Sequence, residues 1–258
     1  MSVIIKTSRF KAHKLRHVIR FQYNIIGAGM SKTEFEADVE SAYGEKSSSG
    51  KIYTSEFGRG KWRREDWLML KCPRFDQSVS SWIQNDDHIA NPVPPGASSE
   101  ELMGKLAPDT FVTMVLRRKY AGSASISSTM SFDHQMAPLI LIAPEYALDA
   151  WGQPEYRNHW EIVIYNEGIC VWQHFWNSGK CSWRLAAHCK CSFNPATRYR
   201  LNVDLGFYPS GKELKISCGE NSFSFFADAL PDSYFVGLTA CEGVNRFYDF
   251  EINSHLNI

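Results

Sequence analysis

From Phe111 onward the chain alternates apolar and polar residues in short runs with turn residues between them. Period two marks a strand with one buried face. FVTMVLRRKY (Phe111–Tyr120) and SASISSTMSF (Ser123–Phe132) read as two strands, with Ala121-Gly122 as their hairpin connection. In the second, Ala124, Ile126, Met130 and Phe132 share one side and Ser125, Ser127, Thr129 and Ser131 the other, which predicts one buried and one small polar face. PLILIA (Pro138–Ala143) is apolar throughout, as a strand buried on both faces would be. WRLAAHCK, RYRLNVDLGFY, KELKISCGE, NSFSFFAD, SYFVGLTAC and NRFYDFEI follow, separated by turns at Asn194-Pro195, Pro209-Ser210-Gly211, Gly219-Glu220-Asn221, Pro231-Asp232 and Glu242-Gly243.

Before Phe111 the pattern is weaker. VIRFQYNII (Val18–Ile26), EFEADVES (Glu34–Ser41) and KWRREDWLML (Lys61–Leu70) can form strands, the last with Trp67 and Met69 on one face. Residues 85–109 are rich in Pro, Ser and Asn, and SSEELMGKL within them predicts a helical turn or two starting at Ser98 or Ser99. So long a connection is either a wall or lid over a groove or a plain surface excursion. The whole predicts an all-β, two-sheet antiparallel jelly-roll sandwich with a few short helical turns. We expect one domain over residues 1–258, with residues 1–33 as an N-terminal extension packed on or completing the sandwich.

The stretch RNHWEIVIYNEGICVWQHFW (Arg157–Trp176) alters this picture, because its polar side is too chemical for a simple core hairpin. His159, Glu161, Val163 and Tyr165 fall on one face, while Trp160, Ile162 and Ile164 form a core face. On the partner strand Cys170, Trp172, His174 and Trp176 alternate with Ile169, Val171, Gln173 and Phe175. A loop of two or four residues at Asn166–Ile169 sets Tyr165 opposite Cys170, Val163 opposite Trp172 and Glu161 opposite His174; a three-residue loop sets Gln173 opposite Glu161 instead. A Glu facing a His in an aromatic shell makes an acid–base pair, each tuning the other. Glu161 and His174, with His159 and Tyr165 beside them, are thus the catalytic candidates, and Trp172 and Trp176 a platform for sugar faces. The alternative is a cross-strand charge pair on a solvated sheet.

Composition narrows the partners. With 28 basic and 28 acidic residues the formal net charge is zero, so no field of one sign draws the protein to nucleic acid or to an anionic membrane. Aromatic residues are 14% of the chain, eight of them Trp, which suits a carbohydrate site as well as a β-rich core. The seven cysteines, an odd number, read as reduced thiols, and the N-terminus lacks an apolar signal-peptide core, so a cytoplasmic protein is expected.

The closing series LNVDLGF, KELKISCGENSFSFFADAL and YFVGLTACEGVNRFYDFEI resembles the last strands of the concanavalin A-like lectin/glucanase superfamily, over about residues 105–255. It is similar to intracellular bacterial members linked to sugar metabolism. The resemblance implies a jelly roll with a carbohydrate on its concave sheet. The E-x-D-x-x-E strand of the glucanases is absent, and the Arg, Gln, His and Tyr used by lyases of that fold are present as residue types without a matching motif.

Secondary candidates lie on flanking loops. They are His134 and Gln135 beside Asp133, Trp151 and Arg157 in the loop entering the hairpin, and Glu242 and Arg246 near the last strand, where an Arg–carboxylate lock is the structural reading. Cys181, His188, Cys189 and Cys191 have the composition of a zinc site without its spacing, so no metal and no cofactor are expected. The expected activity is cleavage of a glycoside, by hydrolysis or elimination; the alternative is a binding module or accessory subunit. A homo-oligomer or hetero-subunit stays open.

Overall fold

Two antiparallel sheets enclose a shared core in the computed structural model, which describes residues 51–75, 81–135, 137–177 and 179–257. The strands are β1 Lys51–Glu56, β2 Trp67–Leu70, β3 Ile83–Gln84, β4 Ile89–Ala90, β5 Val112–Leu116, β6 Tyr120–Phe132, β7 Leu139–Ala143, β8 Tyr146–Leu148, β9 Pro154–Tyr156, β10 His159–Tyr165, β11 Gly168–Asn177, β12 Lys180–Lys190, β13 Tyr199–Tyr208, β14 Gly211–Cys218, β15 Asn221–Phe226, β16 Ser233–Ala240, β17 Asn245–Phe247 and β18 Asp249–Asn257. They lie in one compact unit, Gly50–Ile258. The expected strands at Val18–Ile26 and Glu34–Ser41 and the extension at 1–33 lie outside the described residues.

The first sheet runs β15-β14-β13-β6-β18-β1, with β17, β4 and β3 continuing from the far end of β6. The second runs β2-β5-β16-β7-β10-β11-β12. Alternation decides what lies between them. Met114, Ile140, Ile142, Trp160, Ile162, Val171, Val236 and Leu238 of the second sheet meet Ile126, Met130, Leu201, Val203, Leu214, Ile216 and Ile252 of the first. Each such side chain contributes about 1.5–3 kcal/mol by leaving water.

The second sheet is also covered on its outer face, where Val115, Leu139, Leu141, Val163 and Cys170 pack with Leu70, Cys72, Phe111 and Tyr156. That explains PLILIA: all of Leu139–Ala143 is buried. The β8–β9 hairpin and the chain just after β2 lie together, bridged between Lys71 and Glu155. Tyr156 and Cys72 carry this layer onto the sheet.

Two connections differ from expectation. Ala121-Gly122 is no hairpin turn but part of β6, and β5 lies in the other sheet. Gly122, at φ +65°, takes the left-handed backbone open to glycine, its N–H donates to Asp232 O and its carbonyl accepts from Tyr234 Oη. There β6 borders β16, and the chain crosses between sheets at 117–119 instead. The helical turns are α1 Ser99–Met103 and α2 Ala107–Thr110. Ser98 caps α1 through a capping box with Glu101. No helix among the described residues is long and apolar enough to cross a membrane.

Candidate functional site

The β10–β11 register sets the site. Tyr165 pairs with Gly168 across a two-residue turn, so Val163 faces Cys170, Glu161 faces Trp172 and His159 faces His174. This corrects the expected opposition of Glu161 and His174 by two positions. Gly168 permits this register: a Cβ there would lie 2.3 Å from Cys189 O, so only glycine lets the turn close this early against β12. An even shift leaves every side chain on its face. Glu161 therefore still reaches His174, now on the diagonal.

Three polar side chains converge. Glu161 Oε1 lies 3.2 Å from His159 Nε2, and Oε2 lies 3.0 Å from His174 Nε2. The two imidazoles stack with centroids 4.2 Å apart and planes 13° apart, and Tyr156 meets His159 edge-on at 4.6 Å. His159 Nδ1 is 2.7 Å from the carbonyl oxygen of Arg157, which can only accept, so Nδ1 carries the proton. Cys181 Sγ lies 3.9 Å from His174 Nδ1.

The trio is covered rather than laid out on an open groove floor: His159 is 3%, Glu161 7% and His174 3% exposed. Burial alone would raise the Glu161 carboxyl, but the hydrogen bonds and charges of His159 and His174 outweigh it and hold it well below the usual carboxylate range. Burial pushes His159 down, against the pull of Glu161. Arg74 stands within charge range of Glu161, its guanidinium 5.9 Å from the Trp183 ring and 4.9 Å from that of Phe111. Trp183 stacks on His174 at 6.1 Å and stays 54% exposed.

The other candidates divide. Glu242 feels both Arg74 and Glu161, and burial raises its carboxyl. Its backbone is left-handed at φ +54°, and its N–H donates to Thr110 Oγ1. Arg157 pairs with Glu155 at 2.9 Å and lies over the Trp176 ring at 5.5 Å. Trp172 packs half-buried in the outer apolar cluster.

Tyr165 does not join the trio; it sits at the other end of β10, hydrogen-bonded to His188 Nε2 at 3.0 Å. Gln135 lies near that same end, its carbonyl accepting from Asn166, and His134 is 3.9 Å from Glu100. Trp151, 71% exposed at the β8–β9 hairpin, has the Lys71 ammonium 5.0 Å from its ring. Arg246 makes a two-point bond to Asp133 at 2.8 and 2.9 Å, the structural lock. Cys181 and His188 part company, one at His174 and the other at Tyr165, while Cys189 turns into the core.

Sequence reasoning missed Arg74, Cys72 and Trp183. Nothing in KCPRF signals a site, since its role depends on where the chain after β2 lands. Trp183 was reachable, because β12 pairs with β11 and sets Trp183 opposite His174.

No protein-family model matches the chain, and no curated protein matches it. Solved structures do. Lectin UEA-II complexed with galactose aligns at a TM-score of 0.51 and 7% identity, covering 81% of this chain and 100% of the lectin. Lectin II from Ulex europaeus aligns at 0.50 and 8%, with the same coverage of 81% and 100%. The carbohydrate-binding module CBM66 from Bacillus subtilis aligns at 0.49 and 10%, covering 73% and 96%. The chain thus has the all-β jelly-roll fold of these lectins. At such identities the likeness is one of fold.

Proposed function

We propose that this is a carbohydrate-binding protein of the lectin or binding-module kind, whose ligand docks beside the His159–Glu161–His174 trio at the edge of the second sheet. The observation that carries this is Trp183: an indole 54% exposed, stacked on a buried polar group, with Arg74 beside it. A flat indole face suits the C–H face of a sugar ring, and Arg74, Glu242 and Arg157 offer donors and acceptors to hydroxyls. The galactose in the lectin of like fold supports a sugar as ligand. Free thiols at all seven cysteines support a reducing, cytoplasmic setting.

Binding without cleavage fits Glu161 better than catalysis does. Both its oxygens are engaged by histidine, and its depressed carboxyl is no proton donor near neutrality. A second reading, cleavage of a glycoside, is favoured by one observation: Glu242 is shifted up while Glu161 is shifted down, the division of labour of an acid and a base.

Calorimetry of the full chain against a glycan panel, with product analysis of each hit, tests both. Trp183→Ala is expected to weaken the hit roughly 2- to 10-fold, the worth of one aromatic contact. Binding by no member of the panel, or unchanged affinity in Trp183→Ala, overturns the proposal. Released product turns it into the second reading.

A further inference from the structure

We infer that His159 Nε2, the Glu161 carboxylate and His174 Nε2 form a binding site for one divalent first-row metal ion, zinc foremost. This goes beyond sugar binding and does not depend on it.

The backbone builds the donor set. His159 and Glu161 are two apart on β10 and share a face, and His174 stands directly across from His159 on β11. The three donor atoms all lie within 4.8 Å of one another. Ligands about 2.1 Å from one ion stand roughly 3.4 Å apart in a tetrahedron and roughly 3.0 Å apart in an octahedron. The observed N···O separations, 3.2 and 3.0 Å, fall in that range. Two imidazoles and a carboxylate, leaving a coordination position for water or ligand, are a donor set that zinc and non-haem iron both use.

The tautomer of His159 is the second, independent observation. Its Nδ1–H donates to the Arg157 carbonyl, which is how a metal-bound histidine is usually steered. The other ring nitrogen, Nε2, faces a carboxylate oxygen at 3.2 Å. A proton or a cation must lie between that nitrogen and the carboxylate. A metal ion supplies that charge and also engages His174.

Arg74 opposes the ion, since its guanidinium already serves as a counter-charge to Glu161. With a divalent ion bound, the single Glu161 carboxylate faces two cationic groups, so the centre is positive and its open position favours an anionic or oxygen-rich ligand. The rings stack with only 13° between them, so shared coordination also requires one imidazole to tilt.

The test uses the full chain, stripped with a chelator and titrated with Zn²⁺ and Co²⁺ without sugar. The expected result is one equivalent bound, with Co²⁺ giving visible d–d bands of a nitrogen–oxygen site. Glu161→Gln and His174→Asn, each checked for folding by circular dichroism, are expected to weaken binding roughly 100-fold or more, above the 10- to 100-fold that outer partners typically supply. His188→Ala and Cys191→Ser, at the thiol-rich stretch, are expected to keep the equivalent. Wild type binding well under one equivalent overturns the inference. So does a site that survives Glu161→Gln and His174→Asn, or one that is lost with His188 or Cys191.

Discussion

Replacing Glu161 is the sharpest probe of the trio, because two substitutions at this position have different consequences. Glu161→Ala leaves the Nε2 atoms of two buried histidines without their shared partner. An orphaned buried polar group costs about 1–3 kcal/mol, so the pair costs about 2–6 kcal/mol. Glu161→Gln behaves otherwise. Its amide N–H can donate to the lone pair on His159 Nε2 while its carbonyl accepts from His174 Nε2–H, so both bonds survive without charge. The loss is then about 1–2 kcal/mol. Attraction to Arg74 vanishes in both variants and cancels from their difference.

Urea unfolding of chelator-treated protein at pH 7 measures this directly. We expect Glu161→Ala to lie below Glu161→Gln by about 1–4 kcal/mol, which for a domain of this size is several degrees in Tm. The pH dependence follows from the depressed carboxyl. Its stabilising effect is complete above the ordinary carboxyl value of 4.5 and is lost as pH falls through the lower folded value, so the gap between wild type and Glu161→Gln closes only in acid. Two variants of equal stability, or a gap independent of pH down to the acid transition, would refute the coupled buried trio.

Glu242 should behave in the opposite sense. Burial raises its carboxyl, so the folded state favours the protonated form, and that contribution is lost as pH rises through the folded value. Glu242→Gln is therefore expected to gain stability relative to wild type at pH 7 and to gain nothing at pH 3, as read by thermal melts across pH. Arg246→Ala removes a two-point bond to Asp133 between side chains that are each partly exposed. A loss of about 1 kcal/mol in urea unfolding, with glycan affinity unchanged, is the expected outcome.

Much of the fold was legible because period two fixes faces without fixing partners. HWEIVIY put Trp160, Ile162 and Ile164 in the core and His159 and Glu161 opposite, and the structure keeps that division although the register moved by two. Had the shift been odd, every side chain would have changed face. Ala121-Gly122 misled for a different reason. A glycine between two alternating runs marks a turn or a bend in one strand equally well, and the choice lies in β16, far along the chain. Burial of the trio was illegible because its cover comes from Cys72, Arg74 and Tyr156, which no local pattern places over β10.

That cover also bears on why the trio is there. The outer face of the second sheet is otherwise apolar at Val115, Leu139, Leu141 and Val163, and a hydrophobic residue at position 161 would extend it. Replacing a buried ionic group by well-packed apolar side chains is commonly neutral or stabilising by about 1–4 kcal/mol. Stability therefore gives no reason to seat a carboxylate between two histidines at this point. The proposed binding role does: the same positions that make poor core make a rigid donor set, fixed by the ladder behind it, by the Arg157 carbonyl on one ring and by Trp183 on the other. Such rigidity is of use to a bound ion or ligand and of little use to the sheet. The variants at Glu161 separate these roles, since unfolding reports the sheet while metal and glycan titrations report the site.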